Sequence, residues 1–108
     1  KAMSVTFYDP DNTLKYDQDY NVVDGGPEAN FSNTNARMII EVLGLETDMS
    51  LYGQISAEDM LVAINRATLG IQSFCGEDDY KDYLLRALET LRRVAEMSMN
   101  HSKMIHWG

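Results

Sequence analysis

Asp17, Asp19, Asn21 and Glu28 stand at positions 1, 3, 5 and 12 of a calcium-loop pattern, a spacing at which side-chain oxygens can converge on one hard cation. Position 6 is Val22, where the sharp turn needs glycine, and Pro27 directly precedes the residue that would bind through both oxygens. The sequence therefore reads as a solvated acidic loop, with no metal site. Cys75 is a nucleophile only with a base beside it. Asn100, His101 and His106 are the available partners, and no spacing brings them to it. The helical phase of Cys75 points inward, so a buried, slow thiol is expected. His101 and His106 are too far apart in register to share a helix face, and no second ligand pair has zinc spacing. There is no glycine-rich phosphate loop, no Gly-x-Ser-x-Gly and no His-Glu-x-x-His. No catalytic residue and no cofactor is expected.

The stretch Asn30-Phe31-Ser32-Asn33-Thr34-Asn35 is the most unusual in the chain. The amides of Asn30, Asn33 and Asn35 at a helix start are candidate ligand-binding groups, beside the unpaired first-turn N–H donors. The same residues are explained by helix capping, because short polar side chains satisfy those donors themselves. Phe31 can act as a staple on the first turns, against Arg37 or Met38.

The elements that must position these residues follow from periodicity. Ser4–Tyr8 alternates apolar and polar residues as a short strand. It stops at Asp9-Pro10-Asp11-Asn12, a turn signal. Tyr16, Tyr20, Val22 and Val23 give a second short strand, ended by Asp24-Gly25-Gly26-Pro27. A first helix is expected over 33–43, with Ala36, Ile39, Ile40 and Leu43 on one face and Gly44 closing it in a Schellman ending with Leu45. Ser56, followed by Glu58 and Asp59, opens a second helix running to about Phe74. Gly70 falls inside it at a cost of about 1 kcal/mol against alanine. A third helix is expected over 79–99, with Asp78 or Asp79 as its cap. Its apolar stripe runs from Tyr80 through Leu84, Leu88 and Leu91 to Ser98.

Composition bounds the function. The chain has 108 residues, 9 Lys+Arg against 17 Asp+Glu, a formal net charge of −8 and 44% hydrophobic residues. That suffices for one packed domain, and argues against direct nucleic-acid binding or docking on anionic lipid. No apolar run is long enough for a membrane span, no basic-then-apolar leader is evident, and the single cysteine fits a reducing compartment, so the cytoplasm is expected. Six acids and one lysine between Asp9 and Glu28 concentrate the charge, 1 − 6 = −5.

The expected architecture is α+β, mostly α: a three-helix core over 33–108 with a C-terminal tail, and an acidic N-terminal hairpin or extended arm over 1–32. Val62, Leu69 and Leu85 fall off the core stripes. Together with Met104, Ile105 and Trp107 of a flexible tail, they are the candidate interface residues. The leading expectation is a non-catalytic module that binds another protein or itself as a homodimer. An acidic, nucleic-acid-mimicking inhibitor of a basic protein is the alternative, and a small enzyme or ligand-binding domain the third.

Overall fold

The computed structural model describes residues 3–47, 51–73 and 79–108. The chain runs β1 (Ser4–Tyr8), β2 (Lys15–Tyr16), β3 (Val22–Asp24), β4 (Ala29–Ser32), α1 (Asn33–Leu43), β5 (Gly53–Ser56), α2 (Ala57–Gln72), α3 (Asp79–Ser98) and β6 (Met104–Trp107). Four strands form one antiparallel sheet in the order β4-β1-β6-β5. Val5 and Phe7 of β1 and Ile105 and Trp107 of β6 point to the helices and are buried. Ser4, Thr6 and Tyr8 of β1 and Met104 and His106 of β6 alternate with them and are half-exposed, as the period of two requires. The Phe7 ring lies 5.4 Å from Trp107 and 5.9 Å from Phe31, so three aromatics on three adjacent strands build one face of the core.

The helices close the other side of that core. Ala36, Ile39, Ile40 and Leu43 of α1 are buried, and Gly44 ends the helix at φ 70°, donating to Glu41 O while Leu45 N–H donates to Ile40 O. A left-handed residue here favours glycine, and the two bonds make the expected Schellman ending. Met60 and Ile64 of α2 and Leu88 and Leu91 of α3 are fully buried in one cluster, and the two helices pack on each other. Each such fully buried side chain contributes roughly 1.5–3 kcal/mol. Ser56 Oγ accepts the Asp59 N–H at 3.0 Å and caps α2. Ser56→Ala is expected to lower stability by about 1 kcal/mol in chemical denaturation, with no change of fold.

Three expectations are corrected. The domain is α+β, but its core is a four-stranded sheet plus helices, not a mostly α three-helix core. β4, β5 and β6 have four residues each, in which apolar and polar types do not alternate clearly enough in the sequence to stand out, and β4 overlaps the polar run read as capping residues. The tail expected from Met104 onward is β6, an inner strand paired with both β1 and β5. The arm is shorter than 1–32, since β1 and β4 belong to the core sheet and only the segment between them stands apart. Asn30 is part of β4, and Ser32 caps α1 by accepting from Asn35 N–H. Phe31 packs edge-on against Phe7. No helix among the described residues is long and apolar enough to cross a membrane.

Candidate functional site

The segment between β1 and β4 is an arm with a braced root and an apolar tip. At the root, Asn12 Nδ2 donates to Gly26 O at 2.7 Å, Gly26 N–H donates to Asn12 O at 2.8 Å, and Leu14 N–H donates to Glu28 Oε2 at 2.9 Å. Gly25 sits there at φ 82°, and a Cβ on it would lie 2.0 Å from Thr13 O. Only glycine lets the two chains of the arm approach so closely. Asp9 anchors the root to the body. Its side chain is 2% exposed, and Oδ1 accepts from Ser102 Oγ at 2.7 Å and from Asp11 N–H at 2.8 Å. Burial alone would raise this carboxyl. The bonds from Ser102, Asp11 and Ser98 outweigh it and hold the group below the ordinary carboxylate range.

Beyond the root, β2 and β3 pair with each other and touch no other element among the described residues. Asp17 shapes the tip. Its Oδ1 accepts the N–H groups of Asp19 and Asn21, and these bonds hold its carboxyl below the usual value. The calcium pattern is thus spread out: Asp17 is engaged in the turn, whereas Glu28 serves Leu14 at the root. Tyr16, Tyr20, Val22 and Val23 are all more than half exposed, and Tyr20 reaches 86%. Tyr20 also holds φ 64°, a left-handed conformation that suits asparagine or glycine better.

The second feature lies at the opposite end of α3. An open cleft of about 520 Å³ separates the C-terminal ends of α1 and α2 from the first turns of α3. Leu43, Ala67, Ile71 and Leu84 give it an apolar floor, Arg66 and Lys81 line it as cations, and no acid lines it among the described residues. Ile71, Tyr80 and Leu84 read as core stripe in the sequence. They line a cleft beside the C-terminal end of α1, which stops at Gly44. Gly70 also lines it. It lies in the last turn of α2, and an added Cβ there would meet nothing within 4 Å among the described residues.

The sequence candidates fall in different places. Asn30 lies on the open sheet face, where its Nδ2 donates to Ser4 Oγ and Thr6 Oγ1. Asn33 and Asn35 lie in the first turn of α1, and none of the three lines the cleft. Val62 and Leu69 are 51% and 69% exposed and share one face of α2 with Arg66. Leu85 and Met104 are half-buried, whereas Ile105 and Trp107 are core residues and unavailable to a partner. His106 faces the Tyr8 ring at 6.0 Å on the open side of the sheet. Cys75 lies outside the described residues, as do Phe74 and Asp78. The chain has no significant match among protein-family models, curated proteins or solved structures.

Proposed function

We propose that the chain is a non-catalytic protein-interaction module whose working part is the arm. The observation that carries this reading is the tip: two tyrosines and two valines exposed on a hairpin that touches no other element of the described fold. A two-stranded hairpin is marginal alone, and here hydrogen bonds at its root hold it in place while its apolar side chains stay more than half exposed. Aromatic side chains so presented are the usual anchors of interfaces. Asp11, Asp17, Asp19 and Asp24 are exposed along the same arm, so the partner surface that fits is an apolar groove bordered by cations. A nucleic-acid mimic would present carboxylates as a phosphate-like row. On this arm they alternate with apolar groups, which favours a protein groove.

Because these side chains are more than half exposed and the tip touches no other element of the described fold, replacing Tyr16, Tyr20 and Val23 together by serine is expected to change stability by no more than about 0.5 kcal/mol per site. Binding is tested with a photoreactive phenylalanine analogue at position 20, compared with one at the exposed position 58. In host extract, arm-specific adducts are expected that excess unlabelled chain competes away and the triple serine variant does not. Equal adducts from both positions, or none, would refute the reading.

A further inference from the structure

We infer that the arm is an acid-released element: carboxylates fasten it to itself and to the body, and protonating them frees it while the body stays folded. The release is a property of the arm itself, whatever the arm binds. Its fasteners are hydrogen bonds from backbone N–H groups to acidic side chains. Asp9 Oδ1 accepts from Asp11 at 2.8 Å, and Glu28 Oε2 accepts from Leu14 at 2.9 Å. Asp17 Oδ1 accepts from Asp19 at 2.8 Å and from Asn21 at 3.0 Å, and Asp24 Oδ1 accepts from Gly25 at 2.8 Å. Asp9 also takes the Ser102 hydroxyl at 2.7 Å, which ties the base of the arm to the body. Both ends of the arm are therefore held by acids. The −5 charge between Asp9 and Glu28 gains a structural role, since four of its six acids serve as backbone acceptors.

Little else holds the arm. β2 and β3 pair over two and three residues, with a register shift at Lys15 and Tyr16, and touch no other element among the described residues. A two-stranded ribbon of that length is marginal in water. The pairing of Asn12 with Gly26 is its other fixed point. The body is closed differently, by side chains that do not titrate: Phe7, Ile64, Leu88, Leu91 and Ile105 are fully buried. An N–H bond to an ionised carboxylate is about twice as strong as one to a neutral group. A proton on each acceptor therefore loosens the arm and leaves the apolar core as it was.

Two effects oppose each other in so acidic a segment. Acceptor bonds favour the ionised carboxylate, and repulsion between like charges favours the protonated one. The bonds win at Asp9 and Asp17, whose carboxyls are both held below the ordinary range. At Asp9, burial pushes upward and the bonds from Ser102, Asp11 and Ser98 outweigh it. At Asp17, the N–H groups of Asn21 and Asp19 lead. Neither carboxyl takes its shift from a charged neighbour. The ionisable side chains beside Asp9 are Asp11 and, flanking Ser102, His101 and Lys103; beside Asp17 they are Tyr16, Asp19 and Tyr20; Lys15 follows Leu14 next to Glu28. None of the cations lies within ion-pair distance of these carboxylates among the described residues. Asp9 and Asp17 thus bind a proton more weakly in the ordered arm than in the released chain. Their contribution is complete above the released value of about 4, and is lost as the pH falls through the lower, ordered values.

Amide exchange of the full chain, followed residue by residue by NMR and corrected for intrinsic rates, reads the release. Between neutral pH and about pH 3, protection at Leu14, Asp19 and Asn21 is expected to fall severalfold, while Leu88, Leu91 and the Trp107 indole keep theirs. Asp17→Asn is expected to remove most of the response of Asp19 and Asn21, and Glu28→Gln most of that of Leu14. Asp11 and Asp19 accept no hydrogen bond from side-chain oxygen among the described residues. Replacing both by Asn removes as much charge as the other two substitutions together, and is expected to leave the response at Leu14 and Asn21 in place. None of these four side chains belongs to the core, so the body keeps its fold in every variant. An arm whose protection ignores pH would overturn the inference, as would an arm and body that lose protection together at one pH. So would an Asp11→Asn, Asp19→Asn chain that matches Asp17→Asn and Glu28→Gln, since net charge and not hydrogen bonding would then set the response.

Discussion

A chain ending at Asn100 is expected not to fold. The eight residues removed include β6, the inner strand that pairs with β1 on one side and β5 on the other. Without it, β5 loses its only strand partner and the sheet shrinks to β4 and β1. Ile105 and Trp107, 0% and 3% exposed, leave a hole against Phe7. Truncating a buried tryptophan to alanine costs about 3–5 kcal/mol, and an isoleucine about 2–5 kcal/mol. Together these rival the roughly 5–15 kcal/mol that holds a small domain. The loss also reaches the helices, because Ala57 N–H at the start of α2 donates to Lys103 O, and Ser102 Oγ donates to Asp9. Circular dichroism and thermal unfolding should show no cooperative transition in the shortened chain. Trp107→Ala alone should retain one, with stability lower by about 3–5 kcal/mol. A shortened chain that melts within a few degrees of the full one would mean that residues 101–108 are the flexible tail their sequence suggests.

That contrast shows what was legible. The helices carry their own signals: Ser56 as a cap, Gly44 as a stop, and stripes long enough to establish a 3.6-residue period. Their observed ranges, Asn33–Leu43, Ala57–Gln72 and Asp79–Ser98, follow those signals closely. β1 is legible for the same reason, because five residues alternate cleanly. β4, β5 and β6 are not, since a four-residue strand owes its existence to neighbours that lie far along the chain. Met104-Ile105-His106-Trp107 becomes a strand only because β1 and β5 flank it. The arm was half legible. Its turn residues and acidic charge stand in the sequence, whereas the bracing by Asn12, Glu28 and Gly25 is visible only in three dimensions. The cleft left a faint trace: apolar stripes in α2 and α3 that outrun α1.

Asp9→Ala is expected to lower stability by about 1–3 kcal/mol, because it strips a buried charged acceptor from Ser102 Oγ and Asp11 N–H, although Ser102 Oγ keeps Met104 O as an acceptor at 3.2 Å. The residue is nearly inaccessible, and its Oδ2 has no partner among the described residues, so its retention there has a cost. Oδ1 offsets that cost by joining the end of β1, the arm root and the loop after α3. The folded carboxyl is held below its ordinary value, so it binds its proton more weakly in the folded chain than in the unfolded one. Its contribution is therefore fully present above the unfolded value of about 4. It is lost as the pH falls through the lower, folded value. Denaturant titrations of the natural chain and of Asp9→Asn should differ most near neutral pH and converge below about pH 4. A difference that persists unchanged at low pH would mean that the amide fails for reasons of shape, and that the charge of Asp9 contributes nothing. The same substitution loosens the arm at its root, so the convergence should be matched by faster amide exchange at Asp11 and Asn12 while the core residues of α3 remain protected.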